Sequence, residues 1–191
     1  MKQTIILMTL LTLFFFSCDK ENSSSEKQVI YRSSPEYGFS IKYPKDYKII
    51  IGTSESVSYF PVNDSKTVIT FYKDNISEKT NFNGGGISIA VYKKDAQKPA
   101  SMEIAGIKLP DVTINNVVFK RTQGTDAAVG NRIQVNTYTA FHHNTWYTIT
   151  LFINWASIHN FPRDTVKEFD LKKVSGELKK ILHTFRFTQG K

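Results

Sequence analysis

The stretch from Arg132 to Asn154 limits what this chain can fold into more than any other. It holds two alternating runs, Arg132 to His142 and Thr145 to Asn154, broken by the dipeptide His143-Asn144. Successive side chains of a strand point to opposite faces, so Ile133, Val135, Thr137, Thr139 and Phe141 share one face of the first run. In the second, Trp146, Thr148, Thr150 and Phe152 oppose Tyr147, Ile149, Leu151 and Ile153. The pair reads as a hairpin turning at His143-Asn144. Its second arm, apolar on both faces, is expected to be a central strand covered on both sides.

The remainder supplies partners for that strand. Tyr37 to Tyr43 alternates and stops at Pro44, and Tyr47 to Ile51 is a short apolar run ended by Gly52. Val57 to Val62 and Thr67 to Tyr72 follow, separated by the turn residues Asn63, Asp64 and Ser65. Gly84-Gly85-Gly86 reads as a flexible loop leading into an alternating strand with Ile87, Ile89 and Val91 on one face. Val112 to Lys120 reads as a hairpin around Asn115-Asn116, and Gly124 to Asn131 as a loop in which Gly130-Asn131 supplies positive φ. Between Lys94 and Ile104 a helix has little room, because Pro99 and Gly106 interrupt it. From Thr165 to His183 the period becomes helical: Phe169, Val174, Leu178, Ile181 and Leu182 fall near i, i+4, i+8 spacing. Gly176 weakens that helix by about 1 kcal/mol relative to alanine. Phe185 and Phe187 alternate as a closing strand. Many antiparallel strands with a late helix argue for an α+β fold, a central antiparallel sheet covered by helices.

The N-terminus carries an address. Lys2 precedes the apolar run Ile5 to Phe16, which is shorter than the roughly 20 residues needed to span a bilayer and fits a signal-peptide core. Ser17 and then Cys18, the single cysteine, follow at once. This resembles a bacterial lipoprotein signal, and the resemblance makes Cys18 the first mature residue and the acylated one, with residues 1–17 removed. Phe15 and Phe16 depart from the usual lipobox. A plain secretory signal, or an uncleaved anchor with a free thiol, is the competing reading. The ten residues after Cys18 contain no large apolar side chain, so 18–30 reads as a flexible tether and 31–188 as one domain. Asp19, Lys20 and Glu21 resemble the cluster that directs some Gram-negative lipoproteins to the cell surface, whereas an acidic residue directly after the cysteine resembles an inner-membrane retention signal. The expected location is the cell envelope, at the outer membrane, with the periplasmic and surface faces both open.

Once the YGFSIKYPKDY, NNVVFK, DAAVGN, WYTITLFI and ILHTFRF segments are set in order, the chain resembles PsbP-like domains, named for an extrinsic protein of photosystem II. The resemblance covers most of residues 31–187 and consists of core and turn residues. It implies an α/β/α sandwich, with Ala96 to Leu109 a shortened form of the second covering layer. Family members serve as extrinsic membrane-side proteins, assembly factors or binding modules.

The net charge of +8 and a pI near 9.4 invite an anionic partner. The basic residues come as isolated pairs without a recognition helix or arginine-rich run, so nucleic acid is not expected and a basic face beside an anionic membrane is. His142 and His143 are weak candidates for a metal, since adjacent strand residues diverge unless the turn breaks the alternation. His159 and His183 can join them only through the fold, and HExxH, CxxC and His-x-His spacings are absent. No Gly-x-Ser-x-Gly elbow accompanies Asp126, Asp164 or Asp170, and Cys18 is claimed by lipid. Trp146 and Trp155 read as core. The expectation is therefore a non-enzymatic lipoprotein without cofactor, joined to the membrane at Cys18 and to an envelope protein partner. The alternative is a small-molecule or ion-binding lipoprotein with a cleft near the hairpin turn.

Overall fold

The computed structural model describes residues 29–52, 66–74, 79–92 and 106–188. The elements in chain order are β1 (Val29–Ser34), β2 (Phe39–Pro44), β3 (Lys48–Ile51), β4 (Lys66–Asp74), β5 (Phe82–Tyr92), β6 (Ile107–Ile114), β7 (Val117–Ala128), β8 (Asn131–His142), β9 (Thr145–Ala156), helix α1 (Leu171–Leu182) and β10 (Arg186–Phe187). An antiparallel seven-stranded sheet runs β3-β4-β5-β9-β8-β7-β6, which puts β9 at its centre as the sequence predicts. A small sheet, β1-β2-β10, lies apart from it.

The large sheet buries its two faces differently. On one face Ile69, Phe71, Ile87, Ile89, Tyr138, Ile149 and Leu151 form the core with Phe39, Ile41 and Tyr43 of β2 and Leu178, Ile181 and Leu182 of α1. Each such side chain contributes about 1.5–3 kcal/mol on burial. On the other face the register aligns Thr70, Ser88, Thr150, Thr137 and Thr122 in a row across five strands. The Thr70 hydroxyl donates to Ser88 Oγ at 3.1 Å. The centre of β9 is thus buried on both sides, with β-branched threonine rather than aliphatic residues on the second.

The expected sandwich of helices takes another form. The core face is covered by α1 together with the β1-β2-β10 sheet, and α1 is the one α-helix among the described residues. Strand β2 can cover that face because its alternation turns Phe39, Ile41 and Tyr43 inward while Lys42 stays exposed. The possible helix over 94–104 and the strand over 57–62 lie outside the described residues. Ile107 to Leu109 belong to a strand, not to a second helical layer. The tether expected over 18–30 also lies outside them, except that Val29 and Ile30 already pair in β1. Among the described residues no helix is long and apolar enough to cross a membrane.

Three further expectations are corrected. Gly84, Gly85 and Gly86 are strand residues of β5, hydrogen-bonded to β4 and β9 rather than looped. A Cβ on Gly86 would run into the Phe71 carbonyl and press on the Phe152 ring, so glycine serves close backbone approach there. Gly124 to Ala128 extend β7, and the turn contracts to Val129-Gly130, with Asn131 already in β8. Three successive hairpins use two-residue turns with both central φ positive: Asn115-Asn116, Val129-Gly130 and His143-Asn144. Finally, α1 starts at Leu171 rather than Thr165. Asp170 caps it by accepting from the Lys173 amide at 2.9 Å, and the preceding residues are held extended by tertiary bonds to Asn81.

Asn81 is 2% exposed and uses every polar group it has. Its amide donates to the Lys167 carbonyl at 3.0 Å and its carbonyl accepts from Ala156 at 2.9 Å. Its side-chain Nδ2 donates to the Ala156 carbonyl at 2.8 Å, and Oδ1 accepts from the Phe169 amide at 2.9 Å. One buried amide therefore joins the start of β5, the end of β9 and the approach to α1.

Candidate functional site

The β8-β9 hairpin tip collects the aromatic residues of the C-terminus. Phe185 is fully buried and stacks on Phe39 with centroids 5.5 Å apart, and two residues later Phe187 reaches the tip. There Phe187 meets Tyr147 at 4.8 Å and His142 at 3.9 Å. Asn115, in the β6-β7 turn, holds this segment from the side, donating to the carbonyls of His183 and Phe185 and accepting from Arg186 Nη1. The Tyr147 hydroxyl donates to the Tyr37 carbonyl at 2.8 Å, and burial raises its pKa.

His143 has φ 45°, so strand alternation fails and its ring lies 4.1 Å from that of His142. Burial holds His142 below its ordinary pKa, and the neighbouring His143 adds to the effect. His142 packs on Phe187 with the rings tilted by 31°. His183 caps α1, its Nδ1 2.6 Å from the Lys179 carbonyl, while His159 sits in a turn beyond the far end of β9. The four histidines do not converge, and the described residues hold no group of three or more His, Cys, Asp or Glu placed for a metal ion.

On the opposite face of the same tip lies an exposed apolar pair. Phe141 is 48% exposed and tilts against Trp146 at 5.0 Å. Lys120 pairs with Thr139, so Val118 and Phe141, each two residues further, lie on that face at the same end. Val118 is 56% exposed.

A cleft of about 250 Å³ opens at the start of α1, among Tyr47, Lys73, Asp74, Phe82, Phe169 and Glu177. Two of its charges are answered by ion pairs within the protein: Lys73 pairs with Asp46 at 2.9 Å and Asp74 with Lys48 at 2.5 Å. Burial, then the charges of Glu177 and Asp46, push the Tyr47 hydroxyl well above its ordinary pKa. The cleft is remote from the hairpin turn where sequence reasoning placed one, and its charged residues carry no motif by which sequence could have found them. Cys18 lies outside the described residues.

No protein-family model and no curated protein matches the chain. Among solved structures it is distantly similar to cyanobacterial PsbP (CyanoP) from Synechocystis sp. PCC 6803, at 8% identity over 86% of this chain and 95% of that one, TM-score 0.47. It is similar to the same degree to LpqN of Mycobacterium tuberculosis, described as involved in cell envelope biogenesis, at 8% identity over 87% of each chain, TM-score 0.46. A Bacteroides thetaiotaomicron protein matches at 13% identity over 83% of this chain, TM-score 0.44, and the chain spans about half, 48%, of its length.

Proposed function

We propose that this chain is a lipid-anchored envelope module that works by binding rather than catalysis. Cys18 is its attachment point, and the β8-β9 hairpin tip is its contact with a protein partner. The observation that carries the reading is the placement of Phe141, 48% exposed at the tip of the central β8-β9 hairpin, beside Val118, 56% exposed on the neighbouring strand β7. An aromatic residue braced by a neighbouring tryptophan is the kind of anchor that dominates protein interfaces. For the anchor, support comes from the single cysteine directly after a short apolar run and just ahead of β1.

A photoreactive phenylalanine analogue at Phe141, in the intact chain in its native membranes, tests the contact, with the same group at Val129 as control. A discrete adduct from Phe141 alone supports it; equal adducts, or none from Phe141, refute it. Intact-mass measurement tests the anchor, with acyl mass present in the native chain and lost in Cys18→Ser.

A further inference from the structure

We infer that the outer face of α1 is a docking surface for anionic phospholipid headgroups, which lays the anchored domain against the membrane by this side. The tether part of the argument rests on the Cys18 reading; the surface itself does not.

Helix α1 buries Leu178, Ile181 and Leu182. At 100° per residue the opposite side is an arc of about 120° holding Lys172, Lys173, Gly176, Lys179, Lys180 and His183. All four lysines and His183 are exposed, and the arc contains no carboxylate. Glu177 and Asp170, the acidic residues nearest in sequence, line the cleft, which Lys173 at the edge of the arc also borders. None of the four ammonium groups enters an ion pair among the described residues, unlike Lys48, Lys73 and Lys120, which do. Basic charge continues past the helix end, because Thr184 Oγ1 accepts from the Lys42 amide at 2.8 Å and the exposed Lys42 side chain lies beside it.

Gly176 sits within this arc, and a Cβ there would meet nothing within 4 Å. Packing therefore gives no reason for a residue that costs the helix about 1 kcal/mol. Its effect is an open notch between four cations, into which a phosphate can approach the helix surface.

The chain's entry point fits a lipid surface better than a free anion. Strand β1 begins at Val29, opposite Pro44, two residues along the register from the Tyr31-Lys42 pair. Cys18 precedes Val29 by 11 residues, at most about 40 Å of chain. An acyl chain at Cys18 thus enters the bilayer within reach of the lysine arc. Each lysine near an anionic surface is worth about 5-fold in binding, so four give about 600-fold at low salt.

The test uses the full chain carrying Cys18→Ser, mixed with vesicles of phosphatidylcholine alone or with phosphatidylglycerol added, at about 0.05 M and about 0.5 M salt. Residues 1–17 act alike in every sample, so the readout is the difference between compositions. Expected is stronger binding to phosphatidylglycerol that collapses at high salt and falls by about 600-fold when Lys172, Lys173, Lys179 and Lys180 become glutamine. Replacing Lys108 and Lys120, which the register puts on the face of the large sheet opposite α1, leaves it unchanged. Gly176→Glu weakens binding while improving helix propensity, so misfolding cannot mimic the result. Equal binding to both compositions, as an acidic protein partner for this face would give, overturns the inference. So does a Gly176→Glu chain that binds like its parent. Absence of acyl mass on native Cys18 would instead refute the anchor and leave the vesicle result standing.

Discussion

Replacing Asn81 with alanine removes two side-chain hydrogen bonds and leaves the Ala156 carbonyl and the Phe169 amide without those partners. Each lost bond is worth about 0.5–1.5 kcal/mol net, and stranding a buried group adds about 1–3 kcal/mol. Because Phe169 is only half-buried, water can answer its amide in part, so the expected loss is about 2–4 kcal/mol. At about 2–4 °C per kcal/mol this lowers the melting temperature by roughly 5–15 °C. Urea unfolding followed by tryptophan fluorescence is a direct assay, since Trp155 lies 5.5 Å from Phe169 and reports release of the segment that Asn81 holds. The Asn81→Asp variant sharpens the test. Its carboxylate keeps the acceptor for the Phe169 amide but sets a second oxygen against the Ala156 carbonyl. Burial and that repulsion raise its folded pKa above the unfolded value of about 3.9. Relative to the parent, this variant is therefore least impaired below about pH 4 and loses stability as pH rises through its folded pKa. An alanine variant within about 0.5 kcal/mol of the parent would refute the keystone role, as would an aspartate deficit independent of pH.

Val129 is 98% exposed at φ 48°, a conformation that disfavours β-branched side chains, so Val129→Asn is expected to stabilise the domain by about 1 kcal/mol in urea unfolding. Gly86→Ala pushes a methyl group toward the Phe71 carbonyl and is expected to cost about 1–3 kcal/mol or prevent folding, measured by circular dichroism and melting. Tyr47 has a raised pKa, so its contribution is intact below about pH 10 and is lost as pH climbs toward the folded value. Tyr47→Phe should accordingly soften the alkaline limb of the stability profile, and an unchanged limb would count against burial of that hydroxyl.

Local chemistry and tertiary structure divided the decisions between them. Alternation alone identified β8 and β9, their turn at His143-Asn144 and the central place of β9, because a strand apolar on both faces has nowhere else to lie. The Asn115-Asn116 hairpin and the Phe185-Phe187 closing strand were legible for the same reason: period 2 and turn chemistry act within a few residues. Helical spacing likewise placed α1 but overran its start. Thr165 and Val166 form a bend, and from Lys167 to Asp170 the local preference is overruled by Asn81, about 90 residues away, whose bonds to Lys167 and Phe169 hold that segment extended. Gly84-Gly85-Gly86 misled similarly. Glycine triplets favour loops unless neighbouring backbones come too close for a Cβ, and only the packing of β4 and β9 creates that closeness. Of the candidate sites, the amphipathic lysine spacing of α1 was written in the sequence. That Lys42 lies beside the end of that helix was decided by the packing of β2, because nearness across long separations depends on the fold and not on residue spacing.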